Sequence, residues 1–467
     1  MNTKFLTTIT WGCVLVLLFS CSLNEEPTDS ISPGNAFRNL DDIELGVYGA
    51  YAALGTSLME SATIVGDEVR MPGENTVSNT DAHRWLYDSG SGSVTAAFYA
   101  FYQAIDRANR VLESLDQIES HPDEEQLKAQ YKGELLGIRA FAHFELLRGY
   151  ASGYTPEDLG VPYMLLSEVG YPARDPVGSN YEQIGEDLAQ AKALLPESFT
   201  EVSRMTQVAV TALQARLALY QKKWQDAVDF ATEAIAQKPL ASRSDFPLIW
   251  KDESDAEVLW KLTRITGDSE YGNLFFRQSG GIALYVPSFK LLKTFENEEQ
   301  TDIRFQAYID AQPDRNAMDA KKSNYLVRKY EGNDPSAPGL TDIKLLRTGE
   351  LYLIRAEAYA ELDKIDQGVA DLNALRSARI QGYAPVHLTD KSDLIEAVYT
   401  ERFKELAFEG QRFFDLKRRN LSVERWTEDL INTSQKEVLS PKDAQYNFPI
   451  PADERAVNEH MEQNPNY

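Results

Sequence analysis

Ala215-Arg216-Leu217-Ala218-Leu219-Tyr220-Gln221-Lys222-Lys223-Trp224-Gln225-Asp226-Ala227-Val228-Asp229-Phe230-Ala231-Thr232-Glu233-Ala234-Ile235-Ala236-Gln237-Lys238-Pro239 decides the fold. Counted from Ala215, Trp224 falls at offset 9, Ala227 at 12, Ala231 at 16, Ala234 at 19 and Pro239 at 24. Small residues at these offsets let two antiparallel helices approach, and a bulky aromatic sits at their junction, which is the tetratricopeptide pattern. A second frame starts at Ala356, with Tyr359, Ile365, Gly368, Leu372 and Leu375 at offsets 3, 9, 12, 16 and 19. The two frames start 141 residues apart (215 to 356), which is not a tandem period.

Helical spacing continues on the N-terminal side. Tyr181, Ile184, Leu188, Ala191 and Leu195 step by 3 and 4 along residues 179–195, and Pro196 closes that stripe. Residues 125–150 carry Leu135, Ile138, Phe141, Ala142 and Leu146 on one side, and residues 98–118 carry Phe101, Ile105, Ala108, Leu112 and Leu115. Glu257 to Leu262 is short and β-leaning, a minor strand. Residues 240–344 lose the helical pattern and gain Gly, Asn, Asp, Ser and Pro. The expected fold is mainly α: a tetratricopeptide-like helical-repeat scaffold with a long irregular insertion. The scaffold is expected over 39–239 and 340–467 of a single domain, with the loop-rich insertion at 240–339; such excursions usually carry binding surfaces.

The 467 residues hold 47 Lys+Arg against 72 Asp+Glu, a net charge of −25, with 43% hydrophobic and 25% charged residues. That balance is globular, and a field this negative argues against nucleic acid and against a polybasic grip on anionic lipid. The two cysteines, Cys13 and Cys21, both lie in the first 21 residues, so the body has no disulfide framework, cysteine zinc site or cysteine nucleophile.

Residues 1–20 read as a leader. Lys4 supplies the positive end, and Trp11 to Phe19 form an apolar run too short to span a bilayer comfortably. Leu18-Phe19-Ser20-Cys21 resembles a bacterial lipobox, in which cleavage precedes the cysteine and Cys21 is then acylated. Glu25 and Glu26, just beyond it, resemble the surface-export signal of Bacteroidetes lipoproteins. Residues 21–38 are expected to form a tether, rich in Pro, Ser, Thr and Asn. Removing the leader takes away Lys4 and moves the net charge from −25 to −26.

Several segments together are similar to the SusD/RagB family of outer-membrane lipoproteins. They are the lipobox, Glu134 to Phe144 followed by Gly160-Val161-Pro162-Tyr163, the repeat at 208–239, and Tyr352 to Ala358. The most specific pieces are Glu401 to Arg418, and Phe448-Pro449-Ile450-Pro451 with Glu454 and Gln463-Asn464-Pro465-Asn466-Tyr467. Asn466 replaces the family's usual Gly, and Glu459 follows Asn458 where Pro is common; both affect only the C-terminal turn. The resemblance implies a lipid-anchored protein on the outer face of the outer membrane. It would capture an oligosaccharide and hand it to a SusC-like TonB-dependent transporter, with no chemistry and no cofactor of its own. An oligopeptide ligand in the same role, or a lipoprotein scaffold that binds only protein partners, are the alternatives; a surface glycan hydrolase is a further rival.

Chemistry-bearing patterns are sparse. Charges over 401–418 recur at helical spacing (Arg402 with Glu405, Glu409 with Arg412, Asp415 with Arg418) and read as a structural ion-pair lattice. The five histidines show no metal-ligand spacing, and His143 reads as a satisfied core residue. Ser89 to Ser93 lacks the Lys-Ser/Thr of a phosphate loop, and no Gly-x-Ser-x-Gly elbow exists. No catalytic or metal residue is assigned. Ligand contacts are expected where aromatic rings mix with hydrogen-bonding side chains in irregular segments. Residues 64–90 offer Asp67, Arg70, Trp85 and Tyr87, and residues 263–287 offer Tyr271, Phe275, Arg277 and Tyr285 among Gly267, Gly272, Gly280, Gly281 and Pro287. Trp224, Trp250, Trp260 and Trp426 are expected in the core or at repeat junctions.

Overall fold

The computed structural model describes residues 36–76, 80–119, 121–268, 270–277, 281–334, 336–431 and 435–467. The leader, Cys21 and most of the tether lie outside the described residues. Helices of seven residues or more are numbered in chain order. The first five are α1 (Leu40–Ala53), α2 (Ser57–Val65), α3 (Gly92–Leu115), α4 (Glu125–Tyr150) and α5 (Val177–Leu194). The repeat pairs are α6 (Gln207–Tyr220) with α7 (Trp224–Gln237), and α8 (Thr348–Glu361) with α9 (Ile365–Arg379). Then come α10 (Lys391–Glu405) and α11 (Arg412–Arg418).

The tetratricopeptide frame sets α6 against α7. Thr206 caps α6 by accepting the Ala209 N–H (3.2 Å), and Ala227, Ala231 and Ala234 are buried where small side chains allow close approach. The second frame does the same for α8 and α9: a Cβ on Gly368 would lie 2.9 Å from the Ala356 carbonyl and 2.7 Å from Leu394. In space α7 packs on α8, so the two frames stack as neighbours although a long insertion separates them in sequence. The chain is thus a TPR-like helical array, as the spacing predicts.

The array continues N-terminally through α5, α4 and α3, each packed on the next. Every residue of α4 from Gly133 to Tyr150 is buried, charged ones included. The apolar stripe read from the sequence is therefore only one side of a helix wrapped on all sides. Its charges are satisfied in pairs: Arg139 grips Asp187 with two 2.7 Å bonds, Arg204 grips Glu134, and Arg148 reaches Glu145 at 2.6 Å. His143 is a satisfied core residue, stacked on Tyr163 and accepting the Met164 N–H at 3.0 Å.

The insertion is a patchwork of short antiparallel ribbons and helical segments of four to six residues. Strand β1 (Val69–Arg70) precedes it in the chain, and within it β2 (Val258–Leu262) pairs with β8 (Ile343–Arg347), which leads straight into α8. Inside this frame β3 (Phe276–Arg277) pairs with β4 (Ile282–Ala283), and β6 (Ile309–Ala311) with β7 (Tyr325–Val327). Strand β5 (Val286–Pro287) pairs back to β1 and stitches the insertion to the N-terminal region. Gly272 marks a close backbone crossing, because a Cβ there would lie 2.2 Å from the Tyr330 carbonyl and 2.4 Å from Gly339.

The ion-pair lattice of 401–418 exists but is long-range. Of the three local pairs expected, Asp415 with Arg418 forms (3.0 Å). Arg402 turns to Asp415 instead, Arg412 to Asp67, and Glu409 to Lys329 and Arg347. Glu405 accepts from Arg304, Arg347 and Arg379 at 3.0–3.2 Å. All of these groups are at least half-buried, so the charges lock insertion to scaffold rather than decorate a solvated face.

Candidate functional site

The structure brings the two sequence-predicted loop segments together, where β1, the insertion and residues 408–447 meet. Most of the named side chains, however, turn inward. Trp85 donates its indole N–H to the Val65 carbonyl (2.9 Å) and lies under the Arg425 guanidinium. Tyr87 donates to the Gln445 carbonyl, and Tyr271 to the Phe408 carbonyl (3.0 Å). Phe275 lies parallel to Tyr330 and edge-on to Phe408, and Tyr285 packs near His83. All five rings are buried to 3% exposure or less, so in this structure they present no face to a ligand. They form the hydrophobic joint that sets the loops.

Asp67 is equally occupied. Burial alone would raise its carboxyl, but Arg412 (2.8 and 2.9 Å) and Lys290 (2.7 Å) outweigh that and hold it well below the usual carboxylate range. Arg277 lies in β3, its backbone paired with Ile282; its side chain lies outside the described residues. Arg425, which the sequence did not single out, pins the N-terminal segment: its guanidinium donates to the carbonyls of Ile64, Val65, Gly66 and His83.

Arg70 differs from the rest. Its guanidinium stacks 4.4 Å over the Phe289 ring and donates to the Ser323 hydroxyl (2.9 Å), while its Nε is buried without a hydrogen-bond partner. Burial lowers its affinity for a proton, against the pull of Asp429. Phe289 itself is 37% exposed. Its N–H donates to the Asp429 carboxylate (2.7 Å), whose own N–H donates to the Trp426 carbonyl (2.9 Å). Trp426 is 39% exposed, which corrects its assignment to the core. Beside this face Arg315 clamps Glu74 with two bonds (2.5 and 2.8 Å) and holds the Ser323 carbonyl.

The face therefore offers two partly exposed aromatic residues, Phe289 and Trp426, and a part-buried Arg70 guanidinium stacked on Phe289; the Ser323 hydroxyl and Asp429 carboxylate that fix it are themselves buried. An aromatic face packs against the C–H side of a sugar ring, and planar donors and acceptors around it read the hydroxyls. Behind the β6–β7 ribbon a smaller hollow of about 100 Å³ is lined by Phe276, Asp310, Gln312, Arg328 and Glu331. Phe275, which ends the helical turn before β3, goes to the core, and Phe276, the first residue of β3, to this rim. Phe289, Ser323 and Trp426 were missed because their roles depend on contacts across more than 100 residues; the only local signal was an aromatic flanked by polar residues.

A roomier cleft, about 760 Å³, lies on the helical scaffold between residues 152–158, the α6–α7 turn and residues 441–447. Its basic group, Lys417, is explained by the fold: it donates to the Arg148 and Ala151 carbonyls (3.2 and 3.3 Å), the open C-terminal end of α4, and burial pushes its ammonium down to about 7. The tyrosines there point their hydroxyls into the protein. Size favours this cleft, but two partly exposed aromatic residues beside a fixed guanidinium favour the Arg70 face.

Two family models match the chain: the SusD family over residues 250–467, and "Starch-binding associating with outer membrane" over residues 33–219. The chain is thus similar to the SusD family over its C-terminal part and to a SusD-like family over its N-terminal part. SusD-like protein P38 of Formosa agariphila is 25% identical over 495 residues, covering 91% of this chain and 92% of that one. Among solved structures, a SusD superfamily protein from Bacteroides thetaiotaomicron superposes with a TM-score of 0.82 at 22% identity, covering 91% of this chain and all of the other. A SusD-like carbohydrate binding protein from Bacteroides vulgatus gives 0.76 at 21% identity, covering 91% and 98%. These likenesses establish the fold, and the family is one of outer-membrane-associated nutrient-binding proteins. Among the described residues no helix is long and apolar enough to cross a membrane.

Proposed function

We propose that this SusD-like protein is anchored through Cys21 to the outer membrane, faces the cell exterior, captures an oligosaccharide and passes it to a SusC-like TonB-dependent transporter. The observation that carries the ligand reading is the Arg70 guanidinium, fixed by Phe289 and Ser323, beside the partly exposed Phe289 and Trp426. A fixed cation beside ring faces suits a polyhydroxylated ligand, since hydroxyl oxygens accept from it while the sugar's C–H face covers the ring. Single-domain architecture, with scaffold and insertion as one unit, and a role without catalysis belong to the same proposal.

The ligand class is tested by calorimetric titration of the purified domain against neutral oligosaccharides of increasing length and against peptides of matched size. Saturable binding to one glycan series and none to peptides supports the reading. Binding to peptides alone replaces the ligand, and new reducing ends from a polysaccharide would overturn the assignment as a binding protein.

A further inference from the structure

We propose that the loop over residues 163–172, with Tyr99 and Val457 beside it, is a docking surface for an integral outer-membrane protein that presents an apolar patch within a basic rim. The proposal rests on the partner reading above and assigns that partner its contact face.

The loop is built inside out. Leu165 (50%), Leu166 (55%), Val169 (99%) and Tyr171 (60%) are exposed within seven residues. Its polar backbone over residues 162–167 is meanwhile tied to the protein. The N–H groups of Tyr163, Met164 and Ser167 donate to Asp175 (2.8 Å), His143 (3.0 Å) and Glu113 (2.6 Å). The carbonyls of Pro162, Met164 and Leu165 accept from Tyr102 (3.0 Å), Asn109 (2.9 Å) and Arg139 (3.2 Å). The Ser167 hydroxyl donates to Asp106 at 2.6 Å. An ordinary surface loop keeps its apolar groups in and its polar groups wet; a loop tied down at both ends that does the reverse binds at a reduced ordering cost.

The patch extends past the loop. Asn458 donates to the Pro172 carbonyl (2.9 Å), which sets exposed Val457 (67%) next to Tyr171. Tyr99 (45% exposed) lies one turn from Tyr102 on the same side of α3.

Two observations choose the occupant. Asp106, Glu113, Glu168, Asp453 and Glu454 surround the patch, with Arg110 and Arg455 as the opposing charges. A second copy of this acidic chain or an anionic lipid surface would be repelled, and a basic-rimmed partner attracted. Phe37, beside the first described residue on the way back to Cys21, lies close by. A Cβ on Gly46 would touch both Phe37 (2.6 Å) and Val111 (2.7 Å), and Val111 lies on α3 between Asp106 and Glu113, the two residues that hold Ser167. Tether exit and loop thus flank one helix at the same level, about 10–12 Å across. Fifteen residues, 22 to 36, separate Cys21 from Phe37, which keeps the patch within reach of a membrane-embedded partner.

The test places a photo-crosslinking residue at Val169 of the full chain in its native cells, with Met318 (82% exposed, in the insertion) as the comparison site. The expected result is an adduct from Val169 whose second component is an integral outer-membrane β-barrel protein by mass spectrometry. It should be at least tenfold weaker from Met318, and lost when Leu166→Ser and Tyr171→Ser are added. These are exposed positions, so the variant retains the fold, checked by its melting curve. An adduct only with lipid or with a second copy, or no adduct while the wild-type chain co-purifies with a β-barrel partner, overturns the surface and leaves the partner reading intact. Failure of the wild-type chain to co-purify with any such protein overturns both.

Discussion

Glu405 shows how the fold spends its charges. Three guanidiniums, from Arg304, Arg347 and Arg379, converge on it. Burial would raise its carboxyl, but those cations win and hold it well below the ordinary range. Glu405→Ala leaves three buried cations short of a counter-charge and is expected to cost about 3–5 kcal/mol, read from urea unfolding. Because the folded value is depressed, this stabilisation is fully present above the ordinary glutamate pKa of about 4.3 and is lost as the pH falls below it towards the folded value. Glu68 has the opposite sign. Burial pushes its carboxyl up to about 8. Between the ordinary value and about 8 the folded state keeps a proton that the unfolded chain has lost, so stability falls as pH rises through that window. Glu68→Gln, which can still accept the Phe408 N–H as Glu68 does at 2.8 Å, should gain stability over wild type from about pH 5 to about pH 8.5, on the order of 1–4 kcal/mol. Parallel urea-midpoint profiles for the two proteins would contradict this. Neither residue's role is written locally: the partners of Glu405 come from three separate elements, and Glu68 differs from Asp67 only in which cations reach it. Asn466 was legible, since its φ of 72° is the left-handed geometry the family fills with glycine and Asn tolerates.

At the scale of elements, the spacing of small residues carried the most information. The offsets from Ala215 and Ala356 located α6 with α7 and α8 with α9, because a close helix crossing tolerates no bulk and leaves a periodic trace. Gly368→Val is expected to cost about 1–3 kcal/mol in unfolding free energy, since the new side chain meets Leu394 and the Ala356 carbonyl; thermal melts of the variant decide it. The contact between α7 and α8 was not legible, because neither frame encodes its neighbour on the far side of a long insertion. The insertion's ribbons were invisible for another reason. Strands of two to five residues are too short to show a period, and only β2, at the expected minor strand, stood out. The same shortness misled the site reading. Phe275 ends a single helical turn and Phe276 opens a two-residue strand, so the two neighbouring rings part to core and rim with no period to reveal it.

For the whole molecule, the anchor and the ligand face are the two claims that function depends on. Cys21→Ala should move the protein from the membrane pellet to the soluble fraction after cell lysis, and unchanged membrane retention would contradict lipidation. The charge of −25 fits the proposed surface location: like-charge repulsion favours solubility while the apolar joint between insertion and scaffold stays covered. The ligand face is most directly tested by calorimetric titration of wild type, Arg70→Ala and Phe289→Ala with whichever neutral oligosaccharide the wild type binds. Each variant is expected to lose affinity by about tenfold or more (roughly 1.4 kcal/mol) with an unchanged melting temperature. Undiminished binding by both folded variants would contradict the assignment of the Arg70 face.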